Sequence, residues 1–258
     1  MEIFSNQTLL LSAIVGTFIG AAAGYLGSIM VLRRMALAGD VLSHVALPGI
    51  GLALIYNLNP FLLGFLFLAV ASFLIWFLEG RTKTPTDAII GVVFVAALAF
   101  GILITPELEL AEALFGKISE VRLLDGVFAV LLSIIVFIAA RKIYKNLILG
   151  IISEDLAVSS GVNLRAISLI YLFLVAVTVA LGIKVIGTLL MGALLIVPAA
   201  SAKNISGSLR SYGALSTVFG LLSVPAGIIL SRIFELPPGP IVVLVSIFIF
   251  LLSLFSKR

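Results

Sequence analysis

The chain contains no cysteine and a single histidine, and charged residues are only 11% of its 258 positions. Without thiols it has no disulfide, no thiolate metal site, no cysteine nucleophile and no iron–sulfur cluster. The one histidine, His44, lies inside a hydrophobic run. No nucleophile, base and orienting group assemble around it, so an enzyme such as an intramembrane protease lacks its catalytic set. No phosphate-binding Gly-x-x-x-x-Gly-Lys-Ser/Thr loop occurs, so an ATP-driven process needs its ATPase on another chain. The net charge of +4 is spread over short loops and gives no nucleic-acid patch. Charge is also scarce overall, because an ordinary globular sequence is about a quarter charged. Water is therefore not the main solvent of this chain.

What remains is apolar: 62% of positions, with a mean hydropathy of +1.32. A spanning helix needs about 20 mainly apolar residues. Nine segments qualify, at 8–32, 36–56, 60–79, 86–105, 123–140, 165–183, 186–201, 212–231 and 240–256. The seventh is short, which leaves eight or nine crossings open. No segment alternates with a period of two, which argues against a membrane β-barrel. The expected fold is an all-α, polytopic helical bundle forming one transmembrane domain over 1–258. The start, Met1–Gln7, carries Glu2 and no basic residue, unlike a secretory signal, and the first run reads as a retained helix.

Loop charge orients the set. With nine crossings and the N-terminus outside, the inner side holds Arg33, Arg34, Arg81, Lys83, Arg141, Lys142, Lys145, Arg165, Lys203, Arg210, Lys257 and Arg258. The outer side keeps Lys117, Arg122, Lys184 and Arg232, together with Glu107, Glu109 and Glu112. The C-terminus then lies inside. The longest inner connection follows the fifth segment and contains Ser153-Glu-Asp-Leu-Ala-Val-Ser-Ser-Gly161. Ser153 suits an N-cap, Glu154 and Asp155 suit a helix N-terminus, and Gly161 suits its end, which predicts a short helix at about 153–162 outside the bilayer.

Other features have plain structural readings. Gly16, Gly20 and Gly24 form a small-residue face for helix packing. Asp87, after Thr84 and Pro85, reads as a helix-start residue, and Lys184 as a snorkelling side chain. Pro198 is expected to end the seventh helix, and Pro237-Pro-Gly-Pro240 to make a rigid turn before the last one.

Asp40 and His44 sit four residues apart in the second segment, so they share a helix face. Ionisable groups in a membrane segment are costly and face a cavity or a partner. Two readings fit: a nitrogen–oxygen ligand pair for a divalent transition metal, or an internal hydrogen bond that orients two helices. Two ligands are an incomplete metal site, and a symmetric dimer supplies two such pairs around its axis. With a helix start near Ala36, Asp40 lies only about 6 Å along the helix. Either the helix begins deep within a vestibule, or the site is not at the midplane. Pro48 and Gly49 follow and are positioned to bend the helix beside a cavity.

Several blocks carry a family resemblance. Arg33-Arg34-Met-Ala-Leu-Ala-Gly-Asp40-Val-Leu-Ser-His44-Val-Ala-Leu-Pro-Gly49 resembles the second-helix signature of the zinc/manganese/iron permeases of ABC importers. Thr86-Asp87-Ala-Ile-Ile-Gly91-Val-Val-Phe94 resembles their fourth-helix start. Ile183-Lys184-Val-Ile-Gly187 through Pro198-Ala-Ala-Ser-Ala is similar to their most distinctive stretch, and Leu236-Pro-Pro-Gly-Pro240 to their C-terminal pattern. The blocks run in order from about residue 8 to 256.

The resemblance implies a non-catalytic permease subunit of a bacterial or archaeal cytoplasmic membrane, with a type II ABC importer fold. Its implied partners are a second permease copy, a cytoplasmic ABC ATPase dimer and an extracellular or periplasmic metal-binding protein. It implies no permanently bound cofactor, the metal being cargo, and puts Asp40 and His44 in the translocation path. It also makes Ser153, Glu154, Asp155, Leu156, Ala157, Ser160 and Gly161 the coupling segment that docks on the ATPase. The metal is not fixed by these blocks. Two other classes stand beside this one: a secondary ion-coupled transporter, which more often carries several intramembrane carboxylates, and a siderophore- or cobalamin-type ABC permease, which is typically longer.

Overall fold

The computed structural model describes residues 6–104 and 123–255, and every regular element among them is helical. The acidic stretch Glu107, Glu109 and Glu112, with Lys117 and Arg122, lies outside the described residues, as do Lys257 and Arg258. In chain order the helices are α1 (Asn6–Leu32), α2 (Leu37–Ile55), α3 (Pro60–Glu79), α4 (Thr86–Ile104), α5 (Leu123–Ile152), α6 (Glu154–Ser159), α7 (Leu164–Ile186), α8 (Thr188–Ile205), α9 (Leu209–Phe234) and α10 (Pro238–Phe255).

Eight of these are long and apolar enough to span a bilayer. The exception among the larger helices is α8, whose described apolar run is the shorter Met191–Ile205. It follows α7 with no loop: Gly187 alone separates the two, at φ 94°, a left-handed angle that costs glycine nothing. Gly182 of α7 faces the Met191 side chain, so the pair is an antiparallel hairpin and α8 runs back across the bundle. The seventh segment of the sequence is therefore a shorter helix, and eight spans of full length remain among the described residues.

Two sequence expectations need correction. Pro198 does not end its helix, because α8 continues through it to Ile205. Leu194, four residues earlier, loses only one backbone donor, and Ser201 Oγ–H donates to the Val197 carbonyl at 2.8 Å in the same turn. The fifth helix does not stop at residue 140 either. It runs 30 residues to Ile152, so Arg141, Lys142 and Lys145 lie on a helix rather than in a loop. Basic residues are good helix formers, and a helix that leaves the bilayer has no reason to end at its edge.

Small residues set the packing. Gly20 and Gly24 of α1 lie directly against the backbone of Gly220 and Ser216 of α9, too close for any side chain. Gly27 abuts the Leu195 carbonyl of α8, and Gly49 that of Leu63 in α3. The inner helices α1, α2 and α7 are buried for most of their length, while α3, α4, α5 and α10 expose wide apolar faces. Such faces match a lipid surround.

One end of the bundle is polar and strongly basic. There Arg33 Nη2 of α1 donates to Ser168 Oγ at 3.0 Å and pairs with Glu79 Oε1 at 3.6 Å. Thr86 Oγ1–H donates to Glu79 Oε1 at 3.0 Å, tying the α4 start to the α3 end. Trp76 Nε1–H donates to the Arg165 carbonyl at 2.8 Å, and the Arg165 guanidinium covers the Trp76 ring. Tyr144 Oη–H donates to the Leu209 carbonyl at 3.0 Å, bringing the α9 start to α5 at the same end.

Beyond this end lies α6. Ser153 caps it by accepting the Leu156 N–H at 3.3 Å, and Gly161 leaves it at φ 76°. Gly126 near the top of α5 packs on Leu11 and Val15 of α1. Counting along both helices at 1.5 Å per residue puts Ile152 about 10 Å past the level of Arg33. Ala157 is buried, while Leu156 and Val158 are exposed.

Candidate functional site

Asp40 and His44 lie in the first two turns of α2, with Asp40 at the positive end of the helix. The depth of the pair follows from the neighbouring helices. Gly64 of α3 packs on Ala46 and Ile50, and Gly101 of α4 packs on Leu47 and Pro48. Each glycine stands 15 residues from the basic end of its helix, and both paths place Asp40 about 12 Å above the Glu79–Thr86 level at 1.5 Å per residue. If the charged Glu79–Thr86 level marks one edge of the hydrocarbon layer, which is about 30 Å thick, Asp40 lies about a third of the way into it. Ala38 and Gly39 are buried while Leu37 is exposed, so the first turn of α2 packs one face against the bundle.

The side chains are held as follows. His44 is buried, and its ring meets that of Phe94 with centroids 5.5 Å apart. Its Nδ1 has no hydrogen-bond partner, and its Nε2 stands 3.9 Å from Asp40 Oδ1, too far for a hydrogen bond. The orienting-hydrogen-bond reading therefore has no bond in this structure. The Asp40 side chain stays 43% exposed, so it lies at the surface of this protomer rather than in the packed core. Its backbone rests directly on Gly192 of α8, where a Cβ would meet Asp40 atoms at 2.5–2.8 Å.

Pro48 has one more effect. Lacking an N–H, it supplies no helical donor to the carbonyl of His44, four residues earlier. The helix continues through it. An imidazole, a carboxylate and a carbonyl lacking its helical N–H thus fall within one turn of α2. A tetrahedral ion with bonds of about 2.1 Å needs its donors about 3.4 Å apart, a small adjustment from 3.9 Å. Among the described residues no group of three or more His, Cys, Asp or Glu is assembled. Asp87, read from sequence as a helix-start residue, is in the first turn of α4, and Lys184 lies near the α7–α8 turn. The role of Gly192 was invisible in the sequence, since no local signal links residues 40 and 192.

A bundle with eight helices long and apolar enough to span a bilayer among the described residues, and an Asp–His pair within it, is the architecture of a multi-span membrane protein. The model of the ABC 3 transport family matches residues 5–257, and the chain belongs to that family. It is a multi-span permease of the cytoplasmic membrane. It is 33% identical to the high-affinity zinc uptake system membrane protein ZnuB of Haemophilus influenzae, over 98% of each chain. It is also 30% identical to the manganese transport system membrane protein MntC of Listeria monocytogenes, over 95% of this chain and 92% of that one. Among solved structures it superposes on PsaBC from Streptococcus pneumoniae, in complex with Fab, with a TM-score of 0.84. That match has 28% identity and covers 97% of this chain and 92% of the other.

Proposed function

We propose that this chain is the membrane permease subunit of an ATP-driven importer that carries a divalent transition metal ion, zinc, manganese or iron, by alternating access. The observation that carries the reading is the Asp40/His44 pair: a buried imidazole with Nδ1 unpartnered and Nε2 unbonded, beside a half-exposed carboxylate. An unsatisfied polar group in a bilayer interior is expensive and points to a ligand that completes it. Relatives named for zinc and for manganese support a bare metal ion as cargo.

In this reading Asp40 and His44 hold the ion transiently, and a second copy of the chain supplies the matching pair across a two-fold axis. The basic end is cytoplasmic, the N-terminus is outside and the C-terminus inside. The α6 segment, with Ser153, Glu154, Asp155, Leu156, Ala157, Ser160 and Gly161, docks on a separate ABC ATPase that hydrolyses the ATP. Exposed Leu156 and Val158 on a six-residue helix outside the bilayer support that role. A metal-binding protein delivers the ion on the other side.

The test is purification of the chain with its partners, followed by metal-stimulated ATP hydrolysis and uptake in proteoliposomes across zinc, manganese and iron. An ATPase subunit is expected to co-purify. Uptake that proceeds without one, on an ion gradient, overturns the assignment.

A further inference from the structure

The lipid-facing side of α3 ends in charge. This helix has 20 residues, so at 1.5 Å each it measures about 30 Å, one hydrocarbon thickness, and its last turn lies at headgroup level. Leu62, Leu66, Val70 and Phe73 are exposed at spacings of four and three and define the face turned to lipid. That face continues, four residues at a time, to Phe77 and Arg81. Three rings gather there: Phe73 stands 5.4 Å from Trp76 and 6.1 Å from Phe77, centroid to centroid. Each outer ring carries a guanidinium, Arg81 over Phe77 at 4.3 Å and Arg165 of α7 over Trp76 at 4.9 Å. Arg165 is fixed twice more. Its carbonyl accepts the Trp76 Nε1–H at 2.8 Å, and its guanidinium lies against Gly80, where a Cβ would come within 2.6 Å of Nη2.

Stacking uses the faces of the two guanidinium groups and leaves their in-plane N–H donors free. Among the described residues neither guanidinium has an ion pair or a hydrogen bond. Glu79, in the same turn, is already held by Arg33 and Thr86, and exposed Asp87 pairs with neither arginine. Lys83 adds a third exposed cation. We propose that Arg81 and Arg165 form a headgroup site for an anionic phospholipid, the phosphate lying on the two guanidinium groups and the acyl chains along the Leu62–Phe73 stripe. The proposal needs only the membrane placement of the chain and is independent of the cargo. The planar N–H fork of arginine matches phosphate oxygens, and interfacial rings beside basic residues retain acidic lipids. A zwitterionic lipid also brings a cation, which the arginines repel.

Trp76 is the chain's only tryptophan, so its fluorescence reports on this site alone. The full chain is reconstituted in bilayers mixing phosphatidylcholine and phosphatidylglycerol, and Trp76 quenching by the dibrominated form of each lipid gives the selectivity. Phosphatidylglycerol should be preferred by at least about fivefold, the worth of one basic residue near an anionic headgroup. Arg81→Gln combined with Arg165→Gln should bring the preference below about twofold while quenching by the phosphatidylcholine form persists. If that pair fails to fold, Arg81→Gln alone should lower the preference at least about twofold. Lys203→Gln removes a charge at the same end, on α8, and should keep the preference. Equal quenching by the two lipids in the wild type overturns the site, and so does an equal loss in Lys203→Gln, which would mean surface charge alone. Inorganic phosphate added at constant ionic strength should leave the preference intact; its removal assigns the arginines to a soluble anion and overturns the lipid. An ATPase subunit that co-purifies with the wild type but not with the double variant assigns them to protein docking, with the same result.

Discussion

Replacing His44 by leucine separates a transport ligand from a packing residue. Histidine in a membrane core is retained either for the hydrogen bonds it makes or for a ligand it awaits, and here its ring nitrogens make no hydrogen bond to lose: Nδ1 is unpartnered and Nε2 is 3.9 Å from Asp40 Oδ1. Removing a buried unsatisfied nitrogen relieves about 1–3 kcal/mol. Leucine fills a similar volume but forfeits the ring pair with Phe94, worth about 0.5–1.5 kcal/mol. The two effects oppose each other, so stability should change by no more than about 2.5 kcal/mol. For a chain of this size that is a melting shift of at most about 10 °C. Uptake should instead fall at least tenfold, to about a tenth of wild type or less, because half of the protomer's side-chain ligands are gone. Thermal unfolding in detergent and metal uptake in cells or proteoliposomes, measured on the same variant, give both numbers. Retained uptake, or loss of uptake only together with collapse of folding, would refute the ligand assignment.

Other outcomes follow from the same geometry. Asp40→Ala should abolish uptake at near-normal stability, since the side chain is half-exposed and makes no hydrogen bond to His44. Gly220→Leu should lower the melting temperature sharply, because its side chain must enter the backbone of Gly20 on α1, whereas Gly207→Ala, with open space around it, should be neutral. Leu156→Asp should leave the permease folded but reduce ATPase co-purification, since Leu156 is exposed on α6.

The chain's sequence determined the solvent, the class of fold and most of the segment positions, because a bilayer imposes length and apolarity on every crossing regardless of what packs beside it. It also determined the α6 cap, since Ser153 and Gly161 act through local backbone geometry. The Asp40/His44 pairing was legible for the same reason: a spacing of four is a local property of a helix. Tertiary structure decided the rest. The depth of the pair depends on Gly64 and Gly101, on two other helices, and its footing depends on Gly192, distant in sequence. Whether Pro198 ends a helix depended on neighbours that tolerate one missing donor, and the length of α5 on what lies beyond the bilayer edge. Local patterns carry backbone preferences and face periodicity; which face meets which, and how deep, is set by contacts between segments far apart in the chain.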